Sequence, residues 1–467
     1  MKTNTRKKVI AEYTAGGHGA RASTISNEMK LRRVVLTNLL WEDQAYASGD
    51  ETADNIANLI TKVAPAKVVE IAVSARNDQY LRHVPLYIAS EMCKHKEYKG
   101  YVRELLTEVI QRADEICEFL SIYWKGTDRH KRPLANSARK GLIDALRKFD
   151  EYQLAKYKGK DNDISLKDAI CILHPNPLTK SQANLWKKVV NESLKTPDTW
   201  EVELSKSTNK KDSWTRLLTE NKLGGLALLR NIRNITIANV DDDLVVESIK
   251  KNNFNKVLPF RFLSALKYGT RYTKELEKAM LNAIDSSTKL KGKTVVIVDV
   301  SGSMGMNLSN KSELSRMDAA IALAIILKNK CEDIDIWCTA GYDHRRAHNT
   351  AMIESPARGL GLKTQIHELS NKLGGGGIFL KQCTEFTGTF YNNEAIERVI
   401  IISDSQDTDL STAQGVSNAS VYSENNYLID IASHLNGVGY GPYTVINGFS
   451  EKVIEFIELY EQLKYSN

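Results

Sequence analysis

From about residue 25 to 285, apolar residues recur every three or four positions, a period that predicts helix almost throughout. Segments 29–41, 54–63, 66–76, 84–94, 101–124, 138–156, 166–173, 182–194 and 214–232 carry it most clearly. Short Gly, Pro, Asn or Asp punctuation separates them, and Pro175, Pro177 and Pro259 mark turns. That texture belongs to stacked helical pairs; with no fixed repeat length in view, an irregular α-solenoid is expected. After residue 289 the pattern changes. Apolar strands at 294–299, 335–339, 398–403 and 443–447 alternate with helices at 315–330, 363–373 and 450–463. A glycine run at 374–377 precedes a further helical segment. Strands alternating with helices predict a doubly wound parallel sheet. Two domains follow, residues 1–288 and 289–467.

Charge sharpens this division. The chain has 467 residues and a formal net charge of +7. Residues 1–290 hold 49 Lys+Arg against 36 Asp+Glu, a net of +13, while residues 291–467 hold 15 against 21, a net of −6. A basic half beside an acidic one points to a polyanion partner for the first, with nucleic acid the leading candidate. The densest stretch, residues 121–160, contains 11 Lys+Arg and 4 Asp+Glu. It includes Arg129, Lys131, Arg132 and Lys140, and interleaves Tyr123, Trp124 and Tyr157, whose rings could stack on bases. Any one lysine there reads best as part of a solvated helix face; the cluster reads as a polyanion surface. No window approaches the roughly 20 apolar residues that span a bilayer. The six cysteines lie far apart without a C-x-x-C pair, which suits reduced thiols in a cytoplasmic protein.

The strand at 295–299 runs straight into Asp299-x-Ser301-x-Ser303. One carboxylate and two hydroxyls at the carboxyl end of a buried strand offer hard oxygen ligands to a hard divalent cation such as Mg2+. This pattern is similar to the metal-ion-dependent adhesion site of von Willebrand factor A domains. The resemblance implies two further ligands from later loops. Asp404, after the strand at 398–403, fits one of them. Glycine, at Gly377, stands where the family's second-loop threonine would be, so a weak Mg2+ site is expected, with water replacing the missing hydroxyl.

Four segments then narrow the reading: Tyr80-Leu-Arg-His-Val-Pro-Leu-Tyr87, the stretch from Ile164 through His174 to Pro177, Ala227-Leu-Leu-Arg-Asn-Ile-Arg-Asn234 and Leu258-Pro-Phe-Arg-Phe262. In this order they resemble the TROVE module of the Ro autoantigen and its bacterial relatives, which is likewise joined to a von Willebrand A domain. The resemblance implies a HEAT-like α-helical solenoid closed into a ring, joined to a doubly wound A-like domain. It also implies binding of Y-like small noncoding RNA on an outer basic surface, passage of the 3′ ends of misfolded RNA through the hole, and an exoribonuclease partner. By the same resemblance Lys156, Lys158 and His174 become RNA-contacting positions. Arg82-His83 and Arg230 with Arg233 admit two readings, RNA contact or satisfaction of helix ends and buried acids.

The expected protein is therefore a non-enzymatic, monomeric RNA-binding scaffold. The chain has no H-E-x-x-H, Walker A loop or G-x-S-x-G elbow. Cys338, Asp343, His344 and His348 match no standard zinc or catalytic spacing and read as a loop with solvent-facing histidines. A metal-dependent protein-interaction scaffold, in which the A-like half captures a partner's carboxylate, is the alternative from another class. A nuclease using Asp299 and Asp404 would need more converging carboxylates than the strand ends supply.

Overall fold

The computed structural model describes residues 26–37, 49–129, 131–157, 163–255, 257, 259–284, 289–308, 312, 314–391, 394–405, 422–432, 443–447 and 452–465. The division expected at residue 288 lies just outside them.

The first ten helices are α1 (Asn27–Thr37), α2 (Gly49–Ile60), α3 (Pro65–Asn77), α4 (His83–Met92), α5 (Val102–Val109), α6 (Asp114–Tyr123), α7 (Asn136–Leu146), α8 (Glu151–Lys156), α9 (Leu166–Leu173) and α10 (Lys180–Val190). Six more precede the first strand: α11 (Trp200–Lys206), α12 (Lys210–Thr219), α13 (Gly225–Ile237), α14 (Asp242–Lys251), α15 (Pro259–Leu266) and α16 (Thr273–Ile284). Helices two apart in sequence pack side by side, α3 on α5 and α12 on α14 for example, which is the two-row layering of a solenoid.

Two expected helices are in fact four. The period over 101–124 continues smoothly, yet the helix breaks between α5 and α6. Glu115 causes it: its Oε2 accepts from the backbone N–H groups of Gln111 (2.8 Å) and Arg112 (3.1 Å) and so starts a new helix. The stretch 138–156 breaks at Asp150, whose side chain accepts from the N–H of Gln153 (2.7 Å) while Gln153 returns a bond to the N–H of Asp150. That reciprocal cap is a helix start.

The α/β part runs β1 (Leu290–Asp299), α17 (Arg316–Lys330), β2 (Cys331–Tyr342), β3 (Ala347–Met352), α18 (Leu360–Leu373), α19 (Leu380–Phe390), β4 (Arg398–Ser403), β5 (Asn425–Asp430), β6 (Thr444–Asn447) and α20 (Val453–Tyr465). Strand order is β3-β2-β1-β4-β5-β6. All neighbours pair in parallel except β2 with β3, so the sheet is mixed through its edge strand. Neither β3 nor β5 is expected from the sequence. His348 sits on β3, half-buried, its Nδ1 2.9 Å from the Thr350 hydroxyl, and not in a solvent loop.

Alternation along β1 sorts the two faces. Val296 and Val298 enter a core with α17, whereas Val295 and Ile297 enter a smaller core with Leu380 and Cys383 of α19. The first of these cores does not stop at the sheet. It continues through α17 into Phe262 of α15, Leu276 of α16 and Trp214 of α12. Because both sides of α17 are covered, nearly every residue of it is buried, against the usual apolar stripe. Helices α2 to α10 enclose a core of their own. Helix α1 belongs to both: Leu31, Val34 and Val35 face the core of α2 to α10, Met29 and Leu36 the core shared with the sheet. It also packs on α20 and β6, where Arg33 donates from Nη1 to the Val445 carbonyl at 3.0 Å. The α/β part thus meets both ends of the helical arc and closes it into a ring.

Candidate nucleic-acid interface and acidic strand-end site

Hydrogen bonding divides the basic stretch 121–160 into two populations. Arg132 lies over the Tyr123 ring at 4.0 Å and donates to the Tyr123 carbonyl at 2.9 Å, while the Trp124 indole donates to the Arg132 carbonyl at 2.8 Å. This knot holds the α6–α7 turn, and Tyr123 is buried in it. Its ring is therefore a core element and not a stacking face. Arg139 donates to the Leu173 carbonyl and Arg147 to the Asn176 carbonyl, covering the end of α9. Lys148 reaches the carbonyls of Thr107 and Ile110, and burial pushes its pKa down. These four cations tie helices together.

Arg129, Lys131, Lys140 and Lys156 are exposed. His174 joins them as the residue capping α9, at φ 46, ψ 58. A left-handed turn at a non-glycine residue is uncommon and turns the chain sharply. The imidazole is exposed there. Arg139, next to Lys140 in sequence, holds the carbonyl of Leu173, one residue before His174. Lys156 lies 5.2 Å from the centroid of Tyr157 and 5.7 Å from that of Tyr152, and Arg112 covers Tyr157 at 4.3 Å. Tyr152 and Arg112 are absent from the sequence reading, since nothing in the helical period shows that the α5–α6 turn meets the end of α8. Lys158 lies outside the described residues. At the two ambiguous positions the outcomes differ. Arg82 bonds Asp114, Glu115 and Glu118, and His83 meets Glu118, so that pair serves the helices. Arg230 and Arg233 are exposed on α13, Arg233 over the Tyr268 ring at 4.7 Å.

At the carboxyl end of β1, Asp299 is fully buried. Its Oδ1 accepts from the Ser301 N–H (2.8 Å) and its Oδ2 from the Ser403 hydroxyl (2.7 Å). The Ser301 and Ser303 hydroxyls stand 3.2 Å apart on the turn that follows. Asp404, also fully buried, forms an ion pair with Arg316, Nη1 to Oδ2 at 2.6 Å. Burial first, and then repulsion from Asp404, pushes the Asp299 carboxyl up to about 7. The glycine run closes one flank. Gly377 donates its N–H to Asp343 Oδ1 at 2.8 Å and brings no side chain. Crowding explains its neighbours: a Cβ on Gly376 would meet the Gly341 carbonyl oxygen at 2.1 Å, and one on Gly302 the Gly375 carbonyl oxygen at 2.8 Å. With both carboxylates ionised, Asp299, Asp404 and Arg316 carry one net negative charge out of water. With two hydroxyls about one octahedral edge apart, that donor set suits a hard divalent cation.

The TROVE domain family model matches residues 3–195 and 191–293. This chain belongs to the TROVE family. TROVE proteins are in general RNA-binding and non-catalytic. The two matched segments follow the packing: the first spans the helices with a private core, the second those that share a core with the sheet. The fold is similar to that of the Ro (RSR) protein of Deinococcus radiodurans, with a TM-score of 0.59, 15% identity and coverage of 92% of this chain and 98% of that one. Telomerase protein component 1 of Rattus norvegicus and of Mus musculus is 20% identical over 355 and 357 residues respectively. Those matches cover 55% of this TROVE chain and 13% of each relative's length. Among the described residues no helix is long and apolar enough to cross a membrane.

Proposed function

We propose that this chain is a non-enzymatic RNA-binding protein of the Ro type. The outer surface carrying Arg129, Lys131, Lys140, Lys156, Lys158 and His174 takes a structured, Y-like small noncoding RNA, and single-stranded 3′ ends of misfolded RNA enter the ring. The supporting observation is the division among the basic residues of 121–160: four are fixed to carbonyls inside the fold, while Arg129, Lys131, Lys140 and Lys156 are exposed, as is His174. Exposed cations on a preformed scaffold contact phosphates without reordering the protein, and the exposed Tyr152 beside Lys156 offers a π face to unpaired bases. An exoribonuclease partner would place the protein in RNA quality control or decay. Family membership and the widely spaced cysteines support a monomer working in the cytoplasm.

Fluorescence anisotropy with a labelled hairpin RNA tests this. Five or six phosphate contacts on a duplex stem give a slope of log K against log salt of about −4.5 to −5.4. Replacing Lys140, Lys156 and His174 with alanine together should weaken binding by at least about tenfold and shallow the slope, with unchanged helix content and Tm. A slope near zero for the native protein would remove RNA binding as the main function.

A second reading concerns the α/β part. Asp299, Ser301 and Ser303, with Asp404 behind them, would hold Mg2+ weakly, and a carboxylate of a partner protein would complete its shell. The acidic balance of residues 291–467, which suits RNA poorly, favours this as an additional role.

A further inference from the structure

Arg316 is absent from every sequence motif discussed above, yet its side chain is in direct contact with the acidic strand-end site. It is the first residue of α17, and the start of that helix is doubly fixed. The Ser315 hydroxyl accepts from the Asp318 N–H (3.0 Å) while the Asp318 carboxylate accepts from the Ser315 N–H (3.1 Å). The Arg316 backbone N–H also donates to the Met306 carbonyl at 2.9 Å, tying the helix to the turn that carries Ser301 and Ser303. From this fixed root the guanidinium reaches Asp404 at 2.6 Å, with only 2% of the arginine exposed. The guanidinium brings a positive charge and five N–H donors in a planar fork. Burying it is costly, and an apolar residue would serve the core as well or better. Its position implies a task set by charge.

We propose that Arg316 is a resident counter-charge that competes with a divalent cation for Asp404 and so sets the affinity of the strand-end site. The proposal rests on reading Asp299, Ser301 and Ser303 as that cation's ligands. With Arg316 in place, Asp404 is neutralised and the cation meets one uncompensated carboxylate, Asp299. With the guanidinium gone, it meets two. Affinity for a hard cation rises with the number of ligand charges. Arg316 and the side chain missing at Gly377 therefore act in the same direction: both keep the site weak, so that its filling depends on cation supply or on an added carboxylate.

The test is titration of Mn2+ into chelator-stripped full-length protein, followed by electron paramagnetic resonance of the free ion and by calorimetry. Arg316→Gln should bind Mn2+ at least about tenfold more tightly than the native chain. Adding Asp404→Asn to it should return affinity to within a few-fold of native. Asp404→Asn alone, which removes one carboxylate and keeps the guanidinium, should bind several-fold more weakly than native. Should Arg316→Gln fail to fold, as judged by circular dichroism, this last variant carries the test by itself. Equal or weaker Mn2+ binding by a folded Arg316→Gln protein, or tighter binding by Asp404→Asn, overturns the proposal. A different result, no Mn2+ uptake by any variant and no change on Asp299→Asn, would remove the cation reading beneath it.

Discussion

Helices α2 to α10 and helices α12 to α16 look alike in period, length and layering, but they are stabilised in different ways. The first set closes over its own core, pinned by a buried ion pair between Arg76 and Glu115. The second has no core apart from the α/β part: Trp214, Phe262 and Leu276 share one with α17 and the sheet. The chemical division, where net charge changes sign near residue 290, is thus not the mechanical one. Packing divides the molecule near residue 195 instead, leaving the basic surface of 121–160 on a lobe with a core of its own. A lobe with a private core that presents exposed cations suits recognition of a folded polyanion. A helical layer fused to the sheet suits the transfer of strain between ring and strand-end site.

The largest expected effect would break the first lobe alone. Glu115 accepts from Arg76 (2.7 Å) and Arg82 (3.2 Å) as well as from two backbone N–H groups, and is wholly buried. Glu115→Ala should cost roughly 3–5 kcal/mol, because it leaves the Arg76 guanidinium buried without its carboxylate. Hydrogen exchange should accelerate across α3 to α7 while β1 and α17 stay protected. Acceleration everywhere at once would mean the two cores unfold as one.

Leu276→Ala addresses the fused region. It should cost about 2–4 kcal/mol, within the range for deleting a fully buried leucine side chain. Here exchange should rise in α16, α17 and β1 together. Loss confined to α16 would restore a packing boundary near residue 288 and defeat the comparison.

The smallest effect should come from His367 on α18, at the rim of a cleft of about 530 Å³ between α15 and α18. Burial, and then Lys363, holds its pKa below the usual 6.5, with Asp318 opposing. The folded state therefore takes up this proton less readily than the unfolded chain. Its stabilising contribution is complete above 6.5 and is lost as pH falls through the window just beneath. Between pH 7 and 5.5 the native Tm should fall slightly more than that of His367→Gln; an equal fall would show the residue to be neutral at this seam.

Much of the fold was readable because each layer leaves a strong period. β1 and β4 are covered on both faces, so they appear as unbroken apolar runs, and the acids that follow them mark the strand ends. β3 was not readable because all six of its residues are only half-buried and its sequence, Ala347-His-Asn-Thr-Ala-Met352, has no apolar run. The break between α5 and α6 was hidden because its cap, Glu115, comes from inside the following helix. In the basic stretch, sequence could count charges but could not tell which would find carbonyls; Arg132 and Lys131 are adjacent and opposite in fate. Arg316 was hidden for a related reason. An arginine opening an apolar helix reads as solvated until the strand carrying Asp404 is laid beside it.

The seam made by α1 also governs the order in which the molecule can be assembled. Arg33 and the carbonyl it holds, on Val445, are 412 residues apart in sequence. During synthesis the first lobe can collapse long before β6 and α20 exist, since domains fold as units when their own contacts are available. Met29 and Leu36 must then wait, with their apolar surface facing water, for a partner made several hundred residues later. Closing so long a loop is slow and comes last. The nascent protein is for that interval an open arc with one adhesive edge, the stage at which it is most in need of a chaperone.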